Sequence, residues 1–334
     1  MAIADWSQLH GDFFSGCRVL VTGGAGFIGS HLCEALIELG ADVVVIDDLS
    51  LGKESNLKEI DSGPGQITFV SSSILDRPAL IDCVRGSRFV FHQAGLPSVP
   101  RSILDPVQFT EVNVTGTVNV LVEAQRAKVQ RVIYAASSSA YGDCPTSPKL
   151  EKMLPAPKSP YAANKVAGEH LMRAFACCYD MDTVSLRYFN IFGPRQTTGD
   201  YSGVIAIFAR QLINGQSATL NGEGYSRDFT FVDNVVQANL LSARSDRPLD
   251  GEVINVACGS SVTIKQLALK MGELLCRTDL PPRQGPDRPG DVKHSLADVS
   301  RARSLIDYEP IVYFSTGLRA TVEWYQQARP WITP

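Results

Sequence analysis

Short, continuous apolar runs alternate along this chain with longer stretches in which apolar residues recur every three or four positions. The runs 18–22 (RVLVT), 42–47 (DVVVID), 67–72 (ITFVSS), 88–93 (RFVFHQ), 131–137 (RVIYAAS) and 183–190 (TVSLRYFN) have the length and β-branched character of strands. Helical spacing fills the intervals, most clearly at 27–40 (FIGSHLCEALIELG), which Gly40 ends. Apolar residues that run on without alternating mean strands buried on both faces, hence a parallel sheet with helices on each side. The pattern predicts an α/β fold, a doubly wound parallel sheet joined by right-handed crossovers.

After Asn190 the texture changes. Gly/Pro-rich loops occupy 193–203 and 285–293, with helical patterns at 204–214, 233–245 and 263–276. Residues 253–257 (VINVA) read as another buried strand that rejoins the large sheet. The expected organisation is one domain of residues 1–190 with about 227–258, and a smaller lobe of 191–226 and 259–334. Composition adds mainly exclusions. A net charge of -4 with 20% charged residues gives no basis for nucleic acid or an anionic membrane as partner. No run of apolar residues is long enough to span a bilayer, and the first residues lack the basic and apolar regions of a signal peptide. The 8 cysteines form no C-x-x-C pair, which suits a reduced, cytoplasmic protein without a metal site.

Candidate chemistry begins between the first strand and the first helix. VTGGAGFIGSH spaces Gly23, Gly26 and Gly29 as G-x-x-G-x-x-G. Glycines there allow a tight turn and let the backbone approach a pyrophosphate, whose charge then meets the helix N-terminus. The next strand ends in Asp47-Asp48. A carboxylate at this point accepts hydrogen bonds from both ribose hydroxyls of an adenosine and repels a 2'-phosphate; Asp47 is the better placed and Asp48 assists, which favours NAD over NADP.

Further on, Ser159 and Pro160 open a helix in which Tyr161 and Lys165 stand four residues apart on one face. An ammonium beside a phenol of ordinary pKa about 10 favours the phenolate, which can take a proton from a sugar hydroxyl. The strand 131–137 delivers Ser137, Ser138 and Ser139 to the carboxyl end of the sheet, where ligands of such sheets lie. The spacing Y-x-x-x-K alone is common on amphipathic helices; its company is what distinguishes it.

VTGGAGFIGSH, DD, SSSAYG, YAANK and LRYFNIFGPRQ, in this order, make the chain resemble the extended short-chain dehydrogenase/reductase family, from about Cys17 to Tyr325. Within it the resemblance is to nucleotide-sugar epimerases of the UDP-galactose and UDP-N-acetylglucosamine 4-epimerase type. The resemblance implies a Rossmann-type domain, a discontinuous α/β substrate lobe, tightly held NAD and a UDP-sugar substrate. It also implies a homodimer in which the helical segments around 106–127 and 160–178 form a four-helix bundle. Tyr161 and Lys165 become the catalytic pair, with Ser138 the favoured proton relay and Ser137 close behind. Beside the glycines and aspartates, Phe27 and Ile28 join the cofactor contacts, as do Ser73, Ile74, Gln93, Ala94, Asn113 and Tyr188. For the substrate the resemblance points to Pro97, the three serines, Asn190, Gln196 and Val204, then to Leu220, Asn221, Arg227, Arg288, Asp291 and Ser295.

Related 4,6-dehydratases usually carry an Asp-Glu pair directly after the catalytic hydroxyl; here that stretch is Ser-Ser-Ala, which favours epimerisation. Ser295 stands where hexose-only epimerases carry a bulky tyrosine, leaving volume for a 2-acetamido group. Pro97 stands where a glycine is expected near the sugar, and Ser73-Ile74 where Asp-Ile is usual near the adenine. UDP-uronate and UDP-pentose epimerases, another dehydratase or decarboxylase, and a non-catalytic dinucleotide sensor are the alternatives; sensors typically lose the tyrosine or lysine that this chain keeps.

Overall fold

The computed structural model describes residues 3–58, 60, 63–196, 203–286, 293–329 and 331. Its centre is a seven-stranded sheet of β1 (Arg18–Thr22), β2 (Asp42–Asp47), β3 (Gln66–Ser71), β4 (Phe89–His92), β5 (Arg131–Ser137), β6 (Thr183–Tyr188) and β7 (Glu252–Val256). All pairings are parallel and the order is β3-β2-β1-β4-β5-β6-β7. This is the Rossmann-type arrangement, with the strand order reversing between β1 and β4, where ligands of such sheets bind. The run 253–257 does rejoin the sheet, as the edge strand β7.

Successive side chains of a strand point to opposite faces, and both faces are covered. Val19, Val21, Val43, Val45, Phe89 and Phe91 pack on one side, beneath α1 (Phe27–Glu38) and the helix Val232–Arg244. Leu20, Val44, Ile46, Val90, Val132 and Tyr134 pack on the other, with the helix Arg77–Val84, α3 (Gly116–Arg126) and α4 (Pro160–Tyr179). Burial on both sides is why these strands lack alternation in sequence. A separate core of Phe192, Phe208, Phe229, Phe231, Leu267, Leu318 and Tyr325 lies beyond β6, around the helices Val204–Ile213, Ile264–Leu274 and Phe314–Ala328.

The helical stretch predicted around 106–127 is not uniform. It divides into α2 (Pro106–Thr110), a π-helical turn (Glu111–Thr115) and α3. Two contacts hold the break. Asn113, inside the turn, accepts from the Leu96 amide at 2.8 Å and donates to the Leu96 carbonyl at 3.1 Å. Gly116 lies so close to Ile74 that a Cβ there would meet Ile74 Cδ1 at 2.5 Å. The turn stays helical and carries no proline, so the sequence reads as one helix.

Candidate active site

The glycine loop is built as its spacing predicts. Gly23 has φ 70°, and a Cβ on it would meet the Ala94 backbone nitrogen at 2.7 Å; a Cβ on Gly29 would lie 2.2 Å from the Gly23 carbonyl oxygen. Only glycine fits at either point, and the turn delivers the N-terminus of α1 to a cleft of about 670 Å³ along the carboxyl ends of β1, β2, β4 and β5. Gly26, Phe27 and Ile28 line it beside these glycines. Asp47, at the end of β2, is pinned by two backbone amides: Ala25 donates to Oδ2 at 3.0 Å and Leu49 to Oδ1 at 2.8 Å. Burial raises its pKa and these two bonds pull it back. Asp48 is exposed and caps Ser50 at 3.0 Å. Ser73 and Ile74 complete this end. The cradle of close glycines, α1 N-terminus and adjacent carboxylates therefore fits an NAD dinucleotide.

At the other end of the cleft stand Ser137, Ser138, Tyr161 and Lys165. Ser159 caps α4 by accepting from the Ala162 amide at 3.1 Å, a cap worth about 1 kcal/mol, so the first turn that carries Tyr161 is fixed. Lys165 is buried, donates to the Ala135 carbonyl at 2.8 Å and sits 4.9 Å above the Tyr134 ring. Burial lowers its pKa to about 8, against the opposing pull of Glu169. Burial raises the pKa of Tyr161, and a hydrogen bond with Ser137 lowers it.

Of the two serines on the cleft, Ser137 is the one that pulls the Tyr161 pKa down, where the sequence favours Ser138 as the relay. The reason is where β5 ends. Ser137 is its last residue, while Ser138 already belongs to a short 3-10 turn, Ser138–Tyr141. Ser139 does not line the cleft; its hydroxyl donates to Ser137 Oγ at 2.9 Å.

Gln93, Ala94 and Tyr188 line the cleft beneath these groups. Gln93 donates to the Tyr188 hydroxyl at 3.2 Å and to Asn239 Oδ1 at 3.0 Å, and Asn239 donates to the Tyr188 hydroxyl at 2.9 Å. Asn239, a buried polar residue of the Val232–Arg244 helix, escaped the sequence reading. Asn113 is not on the cleft wall; it acts behind it, through Leu96.

A second cavity of about 230 Å³ adjoins the cleft and shares Asn190, Ile191, Gln196 and Gly203 with it. Its walls include Val204, Asn221 and Arg227 from the predicted set, and Phe192, Thr219, Tyr225 and Phe229, which were not predicted. The Arg227 guanidinium lies 5.7 Å from the Tyr225 ring centroid. Leu220, expected here, packs on the lobe's core instead, because its neighbours Thr219 and Asn221 in the same strand take the cavity side. Ser295 lines neither cavity and accepts from Asn190 Nδ2 at 3.2 Å. Pro97 lines the large cleft, as does Arg101, a cation that sequence did not single out. Arg288 and Asp291 fall outside the described residues.

A profile of the NAD dependent epimerase/dehydratase family matches residues 19–257. The chain belongs to that family. The cofactor of this family is NAD, which the cradle described above fits. Among curated relatives of this epimerase/dehydratase chain, a UDP-glucose 4-epimerase of Mycolicibacterium smegmatis is 36% identical over 92% of this chain and 98% of its own length. A dTDP-glucose 4,6-dehydratase of Streptomyces niveus is 33% identical over 95% of both. Among solved structures, a UDP-N-acetylglucosamine 4-epimerase from Methanobrevibacter ruminantium M1, in complex with UDP-N-acetylmuramic acid, is 38% identical. It superposes with a TM-score of 0.88 over 93% of this chain and 99% of that one. Among the described residues, no cluster could hold a metal ion and no helix is long and apolar enough to cross a membrane.

Proposed function

We propose that this protein interconverts the C4 epimers of a UDP-sugar, and that Tyr161 and Ser137 move the proton at the C4 hydroxyl. Tyr161 takes it as general base, directly or through the Ser137 hydroxyl, and returns it when C4 is restored. Lys165, as an ammonium, favours the phenolate form of Tyr161 that this needs. NAD, when bound, supplies the reversible two-electron acceptor for carbon C4. The 4-keto sugar turns within the cleft and is reduced on its other face, so there is no net redox change. Arg227, Asn221 and the aromatic walls of the second cavity suit the uridine diphosphate, with Asn190 and Gln196 at the junction where diphosphate passes into sugar.

The observation that carries epimerisation over dehydration is the carboxylate inventory of the cleft. Among its described lining residues the carboxylates are Asp47 and Asp48, both at the end of β2 and away from Tyr161. Elimination of water needs a further acid and base beside the reacting sugar, and Ser138-Ser139 supplies neither. Ser295, small and bonded to Asn190, supports an acetamido sugar, UDP-N-acetylglucosamine or UDP-N-acetylgalactosamine, with UDP-glucose and UDP-galactose also accommodated. Arg101 favours a second substrate class. It lines the cleft, and its guanidinium makes no hydrogen bond or ion pair with the described residues, so a uronate carboxylate would find a partner there.

Incubation with a panel of UDP-sugars, with C4 epimers resolved, tests the reading. Epimer formation from an N-acetylhexosamine or hexose substrate is expected. Formation of a 4-keto-6-deoxy sugar, or release of carbon dioxide from a uronate, would overturn it.

A further inference from the structure

Glu169 has no part in the chemistry above, yet it lies on α4 one turn beyond Lys165, as Lys165 lies one turn beyond Tyr161. Its side chain is buried, 4% exposed, and so is that of its partner Arg187 on β6, at 3%. The pair is bidentate: Arg187 donates from Nε at 2.8 Å and from Nη2 at 2.7 Å. The same guanidinium lies 4.6 Å over the ring of Tyr141, the residue that ends the serine turn. Tyr141 in turn donates to Asn255 Oδ1 at 2.7 Å. A buried ion pair is weak support for stability as such, because apolar residues of similar volume often replace it without loss. Its placement beside the working side chains calls for another reason.

We infer that Glu169 is a positioning residue for the reaction: its charge, held in place by Arg187, keeps Lys165 an ammonium, and the ion pair braces the Ser137 turn through Tyr141. The inference deepens the epimerase reading, which supplies the use for the ammonium; the charge relation itself does not depend on it. The groups facing Lys165 can be named. From β5 come the Ala135 carbonyl and the Tyr134 ring. From β4 comes His92, which burial and, secondarily, the lysine's own charge hold neutral. Asn113 faces the same space beside Gly95, and α4 contributes Tyr161 and Glu169. Glu169 is the carboxylate whose attraction opposes the effect of burial on Lys165. Were it neutral, Arg187 would present an uncompensated positive charge to the same region.

The test is the titration of Lys165 itself, followed by NMR on protein with labelled lysine side chains and assigned with Lys165→Met. In Glu169→Gln, Lys165 should titrate about one pH unit or more below the wild type. The alkaline limb of the kcat/KM profile should move down with it, while the rate at low pH changes far less. The double variant Glu169→Gln/Arg187→Met also lacks the carboxylate charge, so Lys165 should again titrate below the wild type, by less than in the single variant because the Arg187 charge is gone as well. If the single variant does not fold, the double variant compared with Arg187→Met isolates the same charge, and Lys165 should titrate lower in the double. An unmoved lysine titration in either comparison overturns the inference. Wild-type protein that converts no UDP-sugar would instead sink the epimerase reading and leave the titration to decide the role of Glu169.

Discussion

The side-chain amide of Asn190, a residue shared by the two cavities, donates to Ser295 Oγ, 105 positions away in sequence, at 3.2 Å. Asn190 holds φ 40° and also donates to the Asp228 carbonyl at 2.9 Å, so its position is fixed from two sides. Whatever replaces Ser295 therefore presses on a part of the wall that does not yield.

Ser295→Tyr is expected to switch specificity. The added ring fills space beside Asn190, so activity on UDP-N-acetylglucosamine or UDP-N-acetylgalactosamine should fall much more than activity on UDP-glucose or UDP-galactose. Steric exclusion discriminates more dependably than the loss of one contact. Paired kcat/KM values on both substrate types check it, and equal losses would remove Ser295 as the gate.

Tyr161→Phe should retain fold and bound NAD and lose turnover by about two to four orders of magnitude, the usual weight of a general base. The nearby serines should separate. Ser137→Ala is expected to cost far more in kcat than Ser138→Ala, because Ser137 is the serine that pulls the Tyr161 pKa down. Steady-state rates with cofactor content measured alongside decide both. Equal effects of the two serine variants would return the relay to open choice.

Acid should destabilise the fold in a way that buried carboxylates moderate, Asp233 among them. Burial holds His10 neutral with a pKa of about 4, and His31 and His92 at about 3. In the unfolded chain these groups charge at about 6.5, so the stability they contribute is present above that pH and is lost as pH falls toward 4 and 3. Asp233 has the opposite sign. Burial pushes its pKa up to about 6, although the Ile3 and Ala4 amides at 2.7 and 3.2 Å pull it down. Its contribution is greatest below its unfolded value of 3.8 and is lost as pH rises through 6. Asp233→Asn should therefore steepen the fall of unfolding free energy between about pH 6 and 4, by up to about 1.4 kcal/mol per pH unit. Urea unfolding across that range is the measurement, and parallel slopes for variant and wild type would refute the assignment.

Assembly gives the last prediction. Ile103, Leu104 and Val107 are 62%, 78% and 76% exposed, on short helices that pack against α4. Large apolar side chains so placed suit an isologous contact with a second copy. Light scattering at micromolar concentration should show a dimer, and Leu104→Arg/Val107→Arg should dissociate it. A wild-type protein that is monomeric under those conditions contradicts the bundle.

The parts of this site that were legible in sequence are those that backbone geometry imposes. Gly23 and Gly29 are set by close approach of the chain to itself, and the offset of Tyr161 and Lys165 by the period of a helix. Hidden features depend on where an element stops or on partners far away in the chain. Whether Ser137 or Ser138 meets the phenol turns on the last residue of β5. The side on which Leu220 packs is hidden because a three-residue strand carries too little alternation to reveal its faces. Arg101 and Asn239 acquire meaning only from the cleft and from Gln93 and Tyr188, which sequence spacing does not bring together.

The π-helical turn at Glu111–Thr115 also settles how one length of chain faces two directions. Each residue of an α-helix advances the azimuth by about 100°, so the one extra residue in the turn re-indexes everything after it. Val107 on α2 looks outward, while Val120, Leu121 and Ala124 on α3 look into the sheet, and Asn113 at the seam grips the loop that ends at the cleft. Deleting a single residue there would leave a smoother helix with its two halves out of phase: keeping the α3 side on the sheet would swing the α2 side away from its present outlook. The irregularity works as a gearbox between an outer surface and an inner one.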